Sequence, residues 1–122
     1  MREIKFRGRV HFNSWVYGGV SFFEGEATIF DSSSVVNSAY DVGPVTVGQY
    51  LGVEDKNDVQ IYEDDILQTQ SGIGYVVYDG VAFAIKSPGS EAIDYERPSF
   101  YESCEIIGNI HDNPELLNLS HV

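Results

Sequence analysis

From Ile4 to Phe12 the chain alternates. Ile4, Phe6, Val10 and Phe12 fall on one face, and Lys5, Arg7, Arg9 and His11 on the other. A two-residue period is that of a β-strand with one face toward a core. It predicts that the four apolar residues are buried and that Lys5, Arg7 and Arg9 are exposed or paired with carboxylates. Gly8 interrupts the apolar set and reads as a bulge. "NSWVYGGVSFF" predicts a second strand, broken or bulged at Gly18-Gly19, and "EATIF" a short third one. "DSSSVVNSAYDVGP" is polar with turn residues at both ends. It reads as a loop holding one irregular strand or helical turn, closed by Pro44. Strands return with "VTVGQYLG", "QIY", "DILQTQ", "GYVVYDG", "VAFAIKS" and "SCEIIGNI". "KSPGSEAIDYERPSF" is a polar excursion between the last two. Short strands separated by Gly, Asp and Asn turns predict a mainly β, antiparallel barrel or sandwich. The best helix signal is "DNPELLNL", where Asn113 can cap, Pro114 suits the first helical position and Glu115 suits the positive end of the dipole.

The stretch "QYLGVEDKNDVQIYEDDIL" concentrates six carboxylates in nineteen residues. A calcium loop of the EF-hand kind started at Asp55 would need glycine at its sixth position and glutamate at its twelfth; Gln60 and Ile66 stand there. His11, His111 and His121 are too far apart in sequence to suggest a transition-metal motif. "YEDD" matches the metal-holding hairpin of reverse transcriptases, but the chain is far too short for a polymerase. Turn chemistry accounts for the acids more simply. Asn57-Asp58 lies between two strand-like runs, and Asn and Asp tolerate left-handed backbone better than other non-glycine residues. A hairpin tip is expected there. Tyr62 and Ile66 should then point to the core, with Glu63, Asp64 and Asp65 forming a polar corner.

Composition narrows the function classes. The 122 residues are 43% hydrophobic and carry a net charge of -12, with a single cysteine, Cys104, inside a strand-like run. One globular domain is expected, residues 1–122, without an internal disulfide. No stretch has the ~18 apolar residues of a membrane helix, and the charged start does not read as a signal peptide. The charge is uneven. Arg2, Lys5, Arg7 and Arg9 are four of the seven basic residues, while from residue 10 onward three basic residues face eighteen acidic ones. Such a body repels nucleic acid and anionic membrane, and attracts a basic partner. The basic face of the first strand invites a phosphate-binding reading. No aromatic residue interleaves with the basic ones on that face, so cross-strand pairing is the simpler account.

Three blocks, "MREIKFR", "VGQYLGVEDKNDVQIYEDDIL" and "EIIGNIHDNPELL", together about forty residues, resemble the YopX family of bacteriophages and prophages. The resemblance implies a mainly β protein with a partly open SH3-like barrel in its second half, residues 45–112. The residue pattern adds an N-terminal β region at 1–44 and a short helix at 113–119. The expected setting is the cytoplasm of an infected or lysogenic bacterium. The family brings no established activity, so no catalytic, cofactor or metal residues are carried over. This chain departs from the family pattern by placing Asp58 and Asp64 where glycine is usual, Leu51 for Thr, and Val53 for Leu. Both aspartates would need left-handed backbone.

The expected function is that of a non-enzymatic phage or prophage protein that binds other proteins and forms homo-oligomers. Tyr17, Phe22, Phe23, Phe30 and Tyr40 are the candidate interaction surface. They are more aromatic area than one short, glycine-broken sheet can bury. The alternative is a nucleic-acid-associated protein, or an acidic mimic of nucleic acid acting on a basic host protein. Nucleic acid itself is an unlikely partner for so acidic a body, and no membrane contact is expected.

Overall fold

The computed structural model describes residues 4–11, 14–31, 38–90 and 92–121. The chain divides into two compact units, Met1–Tyr50 and Leu51–Val122. The architecture is mainly β, with two antiparallel sheets that do not close on themselves.

The first unit holds β1 (Phe6–Arg9), β2 (Trp15–Phe23), β3 (Glu26–Asp31) and β4 (Ser38–Val42). A 3-10 turn at Pro44–Thr46 follows, and then the start of β5 (Gly48–Glu54). β5 and β6 (Gln60–Tyr62) complete a six-stranded sheet in the order β4-β3-β2-β1-β5-β6. β2 is one unbroken strand that changes partner. Trp15 to Gly18 pair with β1, and Gly19 to Phe23 pair with β3. Gly18 sits at the switch because a Cβ there would lie 2.0 Å from the Phe30 carbonyl oxygen. The expected loop before Pro44 contains a regular strand instead, β4, held by five ladder pairs to β3. Its small and polar residues show no alternation, so pairing alone makes it a strand.

The core of this unit is small. Ala27, Ile29 and Val42 are buried, with Phe6, Val10, Val16, Val20 and Val47 packed around them. The expected inward face of β1 therefore holds at Phe6 and Val10, and Phe12 lies outside the described residues. One burial expectation for that strand fails. Ile4 is 72% exposed, because it precedes the first paired residue. Arg7 is only 7% exposed, because the ring of Trp15 on β2 lies 4.6 Å from its guanidinium carbon. Neighbouring strands supply the aromatic rings that the basic face of β1 lacks, and Lys5 lies similarly 5.8 Å from the ring of Tyr50. Gly8 forms no bulge, since the β1–β2 ladder is regular through it. A Cβ at Gly8 would come 2.7 Å from the Val42 side chain, so glycine provides room for β4 to fold over β1. The curl is fastened where the Gly43 amide donates to the Arg9 carbonyl at 3.0 Å.

The second unit contains a five-stranded sheet, β10-β9-β8-β7-β11, every neighbour antiparallel. Its strands are β7 (Asp65–Thr69), β8 (Gly72–Tyr78), β9 (Phe83–Lys86), β10 (Ile93–Asp94) and β11 (Glu105–Asn109). The strands expected from alternation are present, and no helix interrupts residues 59–77. The polar excursion holds two elements the pattern does not announce, β10 and a short helix α1 (Pro98–Glu102). Leu51, Ile61, Leu67, Val76, Ile85, Tyr101 and Cys104 form the core. The expected C-terminal helix is a 3-10 run, Pro114–His121. Asn113 does not cap it with its side chain; its Oδ1 instead accepts the Asn109 amide at 3.2 Å.

Candidate functional site

The five candidate aromatics are all solvent-facing: Tyr17 is 42%, Phe22 59%, Phe23 73%, Phe30 48% and Tyr40 37% exposed. Register sorts them onto two faces, because residues paired across antiparallel strands share a side. Val20, Ile29 and Tyr40 form one row and Phe22, Ala27 and Val42 the next. Ile29, Ala27 and Val42 belong to the core, so Phe22 and Tyr40 lie on the core face at its rim. Tyr17, Phe23 and Phe30 alternate with these and lie on the opposite face. Phe30 pairs with Gly19, two residues along from Tyr17. Phe22 and Phe23 end at a two-residue turn, Glu24-Gly25, whose φ values of 52° and 81° are those of a tight hairpin.

The acidic stretch folds as the turn chemistry suggests. Asp58 and Asp64 adopt φ of 63° and 75°, the left-handed backbone anticipated for them. Tyr62 and Ile66 are buried, and residues 63–64 turn the corner. The carboxylates, however, are not mere surface charge. Asp55 is 4% exposed; its Oδ1 accepts the amides of Asn57 at 2.8 Å and Val59 at 3.0 Å, and its Oδ2 accepts the amide of Ile106 at 3.0 Å. Burial by itself pushes this carboxyl up. The three amides and the nearby Lys56 outweigh it and hold the group below its ordinary range. Asp65 is 2% exposed, not part of a solvated corner, and its Oδ2 accepts the Tyr62 amide at 2.8 Å. Asp64 Oδ2 lies 3.0 Å from His111 Nε2, and its carbonyl accepts the Ile110 amide at 3.0 Å. The central and C-terminal blocks are thus tied together through Asp55, Asp64 and the Lys56–Glu105 ion pair, whose charged atoms are 3.7 Å apart.

Among the described residues no group of three His, Cys, Asp or Glu is placed to hold a metal ion. The hollow between Thr69, Gly74, Ile85, Asp94 and Phe100 has about 100 Å³, and a second one lined by Gly52, Glu54, Asp58 and Glu102 about 360 Å³. Cys104 is fully buried; burial pushes its thiol up, and its Sγ donates to the Phe100 carbonyl. It is a core residue, as its strand-like context suggests.

A family model described as YopX protein matches residues 13–118 of the chain, a range that holds both tied blocks. The chain belongs to the YopX family. A solved neighbour is the crystal structure of protein EF1440 from Enterococcus faecalis. It superposes with a TM-score of 0.60 at 21% identity, over 96% of this chain and 99% of that one. At that identity the likeness shows a shared fold. No curated protein matches. Within the YopX blocks, Asp55 is the residue that sequence reasoning passed over. The visible signal was an Asp directly before a turn, but its third amide comes from 51 positions away.

Proposed function

We propose that this YopX protein is a non-enzymatic, protein-binding accessory protein of a phage or prophage. It works in the bacterial cytoplasm and assembles with copies of itself through Met1–Tyr50. The observation that carries this reading is the mismatch between aromatic content and core in that unit. Three residues form the buried cluster, while five large aromatic side chains stay 37% to 73% exposed. Aromatics concentrate at the centres of protein interfaces, where they bury large area at low entropic cost. Charge favours the same unit. Residues 1–50 carry five carboxylates and four cations; residues 51–122 carry fourteen and three. A contact through the first unit is made by the segment of nearly balanced charge. The reading is non-enzymatic because the buried carboxylates Asp55 and Asp65 are spent on backbone amides. Light scattering of the full chain decides it. A mass at a multiple of 13.6 kDa is expected at micromolar concentration, reduced by Phe22→Glu with Tyr40→Glu. A monomeric mass unchanged by dilution or salt removes the reading.

A second reading has its own support in the excess of eleven negative charges on residues 51–122. That surface suits a basic host protein, as a mimic of nucleic acid would. Capture of basic proteins that is abolished by salt and competed by DNA would favour it; a shift of DNA itself in a gel would instead favour nucleic-acid association.

A further inference from the structure

Four strands end the two sheets, and three of them are protected. β6 has three residues and β10 two. β11 has a register shift between Ile106 and Gly108, and its outward Ile106 amide is taken by Asp55. Short, bulged or capped edges of this kind prevent pairing with other chains. β4 has none of these devices. It is five residues long, unbulged, and without proline or a basic residue. No side chain among the described residues caps its backbone, and no described strand lies on its outer side. The free edge runs to Val42 and stops at Gly43, whose amide is used by Arg9.

We infer that β4 is a docking edge for β4 of a second copy, paired antiparallel about Tyr40. This rests on the self-association proposed above and specifies where it occurs. The sequence is complementary to itself in that register. Tyr40 meets the partner's Tyr40, Ser38 meets the partner's Val42, and Asp41 meets the partner's Ala39, so no like charges stand opposite each other. The pairing is two-fold symmetric and closes as a dimer. It extends the core face, adding the partner's Tyr40 beside the row Val20, Ile29, Tyr40 and covering the rim that this residue now exposes. Strand addition supplies main-chain hydrogen bonds, and the unit that makes it carries almost no net charge.

Two experiments on the full chain test the register. Directly opposed residues in an antiparallel pair have Cα atoms about 4.5–5.5 Å apart, within disulfide reach. Tyr40→Cys should cross-link to a dimer under mild oxidation at least ten times faster than Phe23→Cys or Phe30→Cys. The wild type should not cross-link, since Cys104 is fully buried. Charge at residue 39 gives an independent readout. Ala39→Lys faces the partner's Asp41 and should tighten the dimer, and Ala39→Asp should loosen it. Two symmetric pairs make each change about two- to thirty-fold in dissociation constant. A multimer that cross-links through Phe30→Cys rather than Tyr40→Cys, or that responds alike to both substitutions at Ala39, overturns the edge pairing but leaves self-association standing. A monomeric wild type overturns both.

Discussion

Replacing Asp55 by asparagine changes one heavy atom, an oxygen for a nitrogen, and should remove a large share of the stability. The carboxylate receives three backbone amides while 4% exposed. Hydrogen bonds to a charged group contribute about 1.5–3 kcal/mol each, and neutral ones about 0.5–1.5. Asparagine keeps one acceptor oxygen. Directed at Asn57 and Val59, it retains those two bonds at neutral strength, a loss of about 2 kcal/mol. Its amino group then faces the Ile106 amide, donor against donor, and that bond is lost outright with its desolvation. The sum is about 3–5 kcal/mol, against a total of roughly 5–15 for a domain. With a urea m-value of about 1.5 kcal/mol/M, the midpoint should fall by about 2–3 M. Equilibrium urea unfolding followed by tyrosine fluorescence measures it. The pH dependence supplies a second arm. The folded Asp55 carboxyl is held below its ordinary value of 3.8. Its contribution is therefore complete above the unfolded value and disappears as pH falls through the lower folded value. Wild type and variant should differ by a constant amount from pH 7 to 5 and converge below pH 4. A midpoint shift under about 0.5 M at pH 7, or a difference that grows toward acid, would refute the assignment of Asp55 as the pin between hairpin and β11.

Four other outcomes follow from particular atoms. Tyr101 is 4% exposed, its hydroxyl has no hydrogen-bond partner among the described residues, and burial first of all pushes its pKa up to about 12. Tyr101→Phe should therefore leave stability unchanged or raise it by about 1–2 kcal/mol in urea unfolding, where a loss would mean the hydroxyl is satisfied. Asp58→Gly should raise stability by about 0.5–1 kcal/mol by relieving left-handed backbone at φ 63°. Asp64→Gly, relieved at φ 75° but deprived of the His111 contact, should gain nothing in the same thermal melts. Gly18→Ala places a methyl 2.0 Å from the Phe30 carbonyl and should lower the melting temperature by several degrees, about 2–3 kcal/mol; an unchanged melt would place the β2 partner switch elsewhere.

The sequence by itself determined strands β6 to β9 and β11 of the second unit and the turns between them, though not β10. Those features are local. The apolar run "GYVVY", the turn at Asn57-Asp58 and the left-handed aspartates at 58 and 64 depend on preferences within a few residues, and these act the same way in any context. It also determined the inward face of β1 at Phe6 and Val10. Tertiary structure decided whatever depends on a neighbour distant in the chain. Arg7 looked solvent-facing along its own strand, and is covered because β2 returns Trp15 above it. Ser38–Val42 has no strand pattern, and became one because β3 offered it a ladder. Asp55 and Asp65 looked like surface acids because charge predicts solvent unless buried donors are near, and those donors are supplied by the fold. The five aromatics could be read as exposed in excess of the core, but not sorted between faces, since face assignment needs the register of three strands together. Long-range pairing carries an entropic cost set by the whole chain and a geometry set by its partner, so neither is written in the segment that receives it.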